Sequence, residues 1–130
     1  LVQRFVVPAA QPGRAGLIRA TPRSAQLALT LDAGASRLEL TIARAARRIA
    51  MTRTASEAIP AYDHEAQAID DDIADLLIFH DGPLVEVFAG GLAATFMIGA
   101  SGPVAVTVGT GACDLTYQCL ADEGAGAAGT

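Results

Sequence analysis

From Ser24 to Gly109 the chain is cut into short apolar runs, each ended by Gly, Pro or an Asp-bearing turn. That punctuation leaves little room for anything but strands. In "SAQLALTLD", Ala25, Leu27, Leu29 and Leu31 share one face while Gln26 and Thr30 take the other. In "RLELTIA", Leu38, Leu40 and Ile42 oppose Glu39 and Thr41. An alternation of period two is what a half-buried strand requires, and the turn chemistry from Asp32 to Ser36 joins these two into a hairpin. "RIAMTRT", "ADLLIFH", "PLVEVFA", "LAATFMIG" and "PVAVTVG" follow, separated by Asp81-Gly82-Pro83, Gly90-Gly91 and the Gly99 to Pro103 stretch. The pattern predicts an all-β sandwich of two antiparallel sheets with short polar loops.

One region has a second reading. "SRLELTIARAARRIAMTR" also sets Leu38, Ile42, Ala45 and Ile49 at helical spacing, in a stretch rich in Ala and Arg. The alternation of Leu38, Leu40 and Ile42, and its agreement with the strand pattern elsewhere, favours two strands joined through Ala43 to Arg47. From Thr54 to Asp75 the chain is polar and acidic, with Pro60 in the middle, and is expected to be a long loop carrying one short strand. At 130 residues and 52% hydrophobic content, a single core is expected. The sandwich is assigned to residues 1–120 and a flexible tail, "ADEGAGAAGT", to 121–130.

Charge narrows the partners. Fourteen acidic and nine basic side chains give a net charge of -5, every basic one is Arg, and none follows Arg53. Such a chain lacks the footprint for phosphate backbones, so no nucleic acid is expected, and anionic membrane surfaces are disfavoured too. The uncharged span from Val87 to Cys113 is long enough to cross a bilayer, but its glycines and Pro103 break it into short pieces. Membrane insertion is therefore not expected. The start, "LVQRFVVPAAQPGR", is unlike a signal peptide, with Arg4 inside its apolar run, and the compartment stays open. Cys113 and Cys119 match no zinc, haem or redox spacing. In an extended segment they stand roughly 20 Å apart, beyond a disulfide's reach.

No catalytic, cofactor-binding or metal-ligating residue emerges. "HEAQA" from His64 has Ala68 where a zinc motif of this kind needs its second His. "IDDDIAD" gathers Asp70, Asp71, Asp72 and Asp75, hard oxygen donors suited to calcium, but without the spaced ligands of an EF-hand. A solvated acidic loop is the preferred reading. "GAGAAG" at 124–129 fits a dinucleotide fingerprint in letters alone, since no strand precedes it and no helix follows. "GTGACDL" is not a nucleophile elbow.

Glu86 is the conspicuous charge, set between Val85 and Val87 in "DGPLVEVFAGG". On a strand it shares a face with Leu84 and Phe88. A carboxylate among such neighbours either reaches solvent at an edge or is paired with a cation, because an unpaired buried charge costs several kcal/mol. Arg53, at the end of "RIAMTR", is the best-placed cation, and a structural Glu86–Arg53 pair is the expectation, with an exposed edge position as the alternative.

Ala74 to Ile98, "ADLLIFHDGPLVEVFAGGLAATFMI", resembles the carboxy-terminal β-sandwich of glycoside hydrolase family 32. There a strand ending in Asp leads through a turn to an "EVF" strand, a Gly turn and a Thr-bearing strand. "RIAMTR", "SAQLALTLD" and "LVQR" resemble further pieces of that domain, so the likeness covers most of residues 1–108. Thr52, Thr54 and Gly82-Pro83 depart from the family's usual residues. The resemblance implies a concanavalin-like sandwich serving as accessory domain to a hydrolase of sucrose or fructans. It also implies that the catalytic carboxylates, which stand about 5–5.5 Å apart in retaining enzymes, belong to an amino-terminal five-bladed propeller. The propeller's WMNDPN, RDP and EC motifs do not occur here. By itself the segment is then inactive, and its partners are the propeller, the fructoside held by that domain, and a second copy in a homo-oligomer. The alternative is a free-standing carbohydrate-binding module, which the absence of Trp and the presence of only two Tyr and four Phe disfavour. A metal-dependent enzyme built on the acidic loop is a third reading.

Overall fold

The computed structural model describes residues 3–7, 15–33, 36–54, 60–97 and 104–120. The expected tail at 121–130 and the "GAGAAG" run lie outside them. Eleven strands form: β1 (Gln3–Val7), β2 (Ala15–Pro22), β3 (Gln26–Ala33), β4 (Ser36–Ala43), β5 (Arg48–Arg53), β6 (Tyr62–Gln67), β7 (Leu76–Asp81), β8 (Leu84–Ala89), β9 (Leu92–Met97), β10 (Val104–Thr110) and β11 (Cys113–Leu120). A six-stranded sheet has the order β1-β10-β3-β4-β5-β6, and a five-stranded sheet the order β11-β2-β7-β8-β9. Every pairing is antiparallel. The all-β sandwich expected from the alternation is the fold, and no described residue is helical.

Period two decides the interior. Leu27, Leu29 and Leu31 of β3, Leu38, Leu40 and Ile42 of β4, Ile49 and Met51 of β5, and Val104, Val106 and Val108 of β10 are all buried. Facing them are Ile18 and Ala20 of β2, Leu76 and Ile78 of β7, Val85 and Val87 of β8, and Phe96 of β9. Each large aliphatic side chain in this layer contributes about 1.5–3 kcal/mol by leaving water.

The ambiguous stretch is resolved as two strands. A helix would have buried Leu38, Ile42, Ala45 and Ile49 and left Leu40 out, whereas β4 buries every second residue and Ala45 is exposed. The connection Arg44–Arg47 closes with the Arg47 amide donating to the Arg44 carbonyl at 3.0 Å, and Arg47 takes a left-handed φ of 53°. The short strand expected in the acidic segment is β6, exposed at every position but Ala66. Polar side chains suit it, because it is the sheet's edge and resists pairing with another chain.

Candidate functional site

The outer face of the six-stranded sheet is polar, with Asp63, Thr52, Glu39, Thr30 and Thr107 in one register row. The outer face of the five-stranded sheet is different. Val85, Val87 and Ala89 of β8 point inward, so Leu84, Glu86 and Phe88 point outward. Leu84 is 41% exposed, Phe88 36% and Met97 51%. Leu84 is register-paired with Met97, and Glu86 with Phe79 on one side and Thr95 on the other. Glu86 thus stands in an exposed apolar stripe, facing solvent from an inner strand of the sheet.

Arg53 does not meet it. Arg53 belongs to the six-stranded sheet, and its guanidinium donates to the Pro60 carbonyl at 2.9 and 3.1 Å and to the Met97 carbonyl at 3.3 Å. It also lies 5.9 Å from the centre of the Tyr62 ring. The cation therefore joins the β6 side of one sheet to the β9 edge of the other, and the expected Glu86–Arg53 pair is not formed. The physical reason is that Glu86 looks away from the interior and stays hydrated, so burial imposes no need for a counter-ion.

The acidic segment is tied down by arginines. Arg44 donates to both carboxylate oxygens of Asp72, at 3.2 and 2.7 Å, and this hydrogen bond leads the causes that hold the Asp72 carboxyl below its ordinary value. Arg47 reaches Asp71 at 3.9 Å and the Asp70 carbonyl at 3.4 Å. Asp75 accepts a hydrogen bond from the Thr21 hydroxyl at 2.7 Å. The carboxylates of Asp71, Asp72 and Asp75 are thus turned to different partners, and among the described residues no group of three or more His, Cys, Asp or Glu is placed to hold a metal.

The two histidines are not brought together. His64 is exposed on β6, near-parallel to the Tyr62 ring at 6.3 Å. His80 is fully buried on β7, and neither ring nitrogen has a hydrogen-bond partner. Burial pushes its imidazole below the ordinary value, opposed in part by the Gly82 backbone and the Asp81 carboxylate. β11 runs unbroken through both cysteines, which are free thiols, Cys113 buried and Cys119 exposed. Burial pushes the Cys113 thiol up.

Sequence reasoning did not find a cleft on the outer face of the five-stranded sheet. Arg19, Leu77, Phe88 and Ala93 form one register row across β2, β7, β8 and β9. Where that row meets the Gly90-Gly91 turn and the acidic segment, a cleft of about 500 Å³ opens, lined by Arg19, Asp70, Asp75, Leu77, Phe88 and the turn itself. The turn must be glycine at Gly90: its φ is +55°, and a Cβ there would stand 2.6 Å from the Ala68 Cβ. That close approach lets the Ile69 and Asp70 amides both donate to the Gly90 carbonyl, at 2.7 and 2.9 Å, which fixes the Asp70 backbone beside the cleft. The Phe79 ring meets Phe88 edge-on at 5.6 Å and 89°, orienting it. Arg19 makes no ion pair with any described residue, in contrast to Arg48 in the hollow at the β6 edge, which is paired with Glu65.

No protein-family model matches the chain, and no curated protein matches its sequence. Solved structures do match in fold. Galectin LEC-6 of Caenorhabditis elegans superposes with a TM-score of 0.59 at 14% identity, over 91% of this chain and 88% of that one. A glycoside hydrolase family 32 protein from Bifidobacterium adolescentis gives 0.58 at 18% identity, over 92% of this chain and 19% of that one. An exo-inulinase from Aspergillus awamori gives 0.58 at 16%, over 94% and 29%. The chain spans less than a third of the length of either hydrolase. At these identities the shared property is the β-sandwich.

Proposed function

We propose that this chain is the accessory carboxy-terminal β-sandwich of a β-fructofuranosidase-type glycoside hydrolase acting on sucrose or fructans. Bond cleavage with retention belongs to an amino-terminal five-bladed propeller of the same parent. The observation that carries the reading is the apolar stripe of Leu84, Phe88 and Met97 on the outer face of the five-stranded sheet, with Phe79 beside it on β7. An exposed apolar stripe on one face of a sandwich marks a surface meant to be covered. Two further facts support it. "HDGPLVEVF" occupies β7, a two-residue turn and β8, the strand-turn-strand arrangement that its resemblance implies. And two of the similar folds are parts of longer hydrolases.

The test uses the chain alone and joined to its upstream coding region. Alone, it is expected to release no fructose from sucrose or inulin, to bind an apolar dye, and to self-associate in light scattering. Joined to a propeller, it should lose dye binding and gain activity. Fructose release by the isolated chain, or a dye-silent monomer, would overturn the reading.

A further inference from the structure

We infer that the cleft between Arg19 and the Gly90-Gly91 turn is a binding site for a neutral sugar, a monosaccharide or disaccharide unit presented with its hydroxyls free. The inference goes beyond the accessory-domain reading and needs the Phe88 end of the stripe open: a partner seated on the Leu84–Met97 end leaves the cleft free, whereas one that covers Phe88 closes it.

The chemistry of the lining selects the ligand. A cleft of about 500 Å³ falls within the roughly 300–1,000 Å³ that holds a small molecule. Its floor is apolar, Leu77 and Phe88, and the Phe88 ring is already held in place by Phe79. Its rim carries a guanidinium that no described carboxylate occupies, and two carboxylates, Asp70 and Asp75, neither of which is paired with an arginine side chain. Donors and acceptors therefore converge over an aromatic surface. An anion would meet both carboxylates, and a compact cation would meet Arg19. A sugar satisfies all the parts at once, its hydroxyls accepting from Arg19 and donating to Asp70 and Asp75 while its C–H face lies on Phe88. The backbone is prepared as well, since the two amides on the Gly90 carbonyl hold the Asp70 wall against the hairpin.

The experiment is an amide NMR titration of the full chain with sucrose, fructose and lactose, with glucuronate as the charged control. Saturable shifts centred on Leu77 and on Phe88 to Leu92 are expected for at least one neutral sugar. Arg19→Ala and Phe88→Ala should each weaken that binding about tenfold. Should Phe88→Ala lose its fold, Asp75→Asn, which keeps the shape of the wall, supplies the second variant and should weaken binding likewise. Absence of saturable shifts with every neutral sugar, tighter binding of glucuronate, or undiminished affinity in Arg19→Ala overturns the inference. None of those outcomes alters fructose release or dye binding, so failure here is distinguishable from failure of the accessory-domain reading.

Discussion

Glu86 shows how much a single side chain depends on which way its strand is turned. Its neighbours in sequence are all apolar, yet Val85 and Val87 are the buried ones and Glu86 is exposed. Glu86→Gln should therefore change stability by less than about 0.5 kcal/mol in urea denaturation. Arg53→Met should cost about 1 kcal/mol through its lost carbonyl contacts, and the double mutant should be additive, as expected for groups that share no contact. His80 is the opposite case. Its imidazole is buried with neither ring nitrogen in good hydrogen-bond geometry, and burial pushes it below its ordinary 6.5 against the weaker pull of the Gly82 backbone and Asp81. The unfolded chain takes up a proton near that ordinary value while the folded one resists it. His80 therefore leaves stability intact above about pH 6.5 and lowers it as the pH falls from there towards the depressed folded value. A substitution such as His80→Leu should flatten that part of the pH–stability curve, measured by thermal melts, ahead of the carboxylate titrations at lower pH.

Strands that were legible in the sequence share a feature that the missed ones lack. β3, β4, β5, β7, β8, β9 and β10 coincide with the alternating or apolar runs bounded by turn residues. β2 was missed because Leu17 next to Ile18 hides the period: Leu17 looks outward and is only half-buried, while Ile18 is fully buried. β11 alternates cleanly, Cys113, Leu115 and Tyr117 against Asp114, Thr116 and Gln118, but its inward residues after Cys113 are only half-buried, so its apolar contrast is weak. Connections matter as much as strands. Between β10 and β11, Gly111 has φ +79°, and a Cβ there would stand 2.0 Å from the Gln26 carbonyl oxygen. This corner is laced to the β2–β3 corner by Arg23 donating to the Ala112 carbonyl at 2.7 Å and Ala112 donating to the Ser24 hydroxyl at 3.0 Å. Gly111→Ala should cost at least about 1–3 kcal/mol, because left-handed strain adds to a backbone clash. Chemical denaturation would measure it, and a loss below that range would mean the corner can move aside.

At the scale of the whole molecule, the order of strands in space departs from their order in the chain. β1 pairs with β10, Gln3 opposite Val108, and β2 pairs with β11, Pro22 opposite Cys113. Closing such distant pairs costs chain entropy before any packing rewards it, so refolding is expected in milliseconds to seconds rather than microseconds. Stopped-flow fluorescence of Tyr62 and Tyr117 would test that, and microsecond folding would contradict it. The β class, the two-faced strands and the lack of a zinc or nucleotide motif can be read from residue order alone, because period two and turn chemistry are local properties of the chain. Which face of β8 is interior, where Arg53 directs its hydrogen bonds, and that Arg19, Asp75 and Phe88 line one cleft follow from how the sheets pack. Those three residues lie far apart in the chain, on or beside different strands. Periodicity carries no information about which strands become neighbours, since that is set by how two sheets bury their apolar faces together.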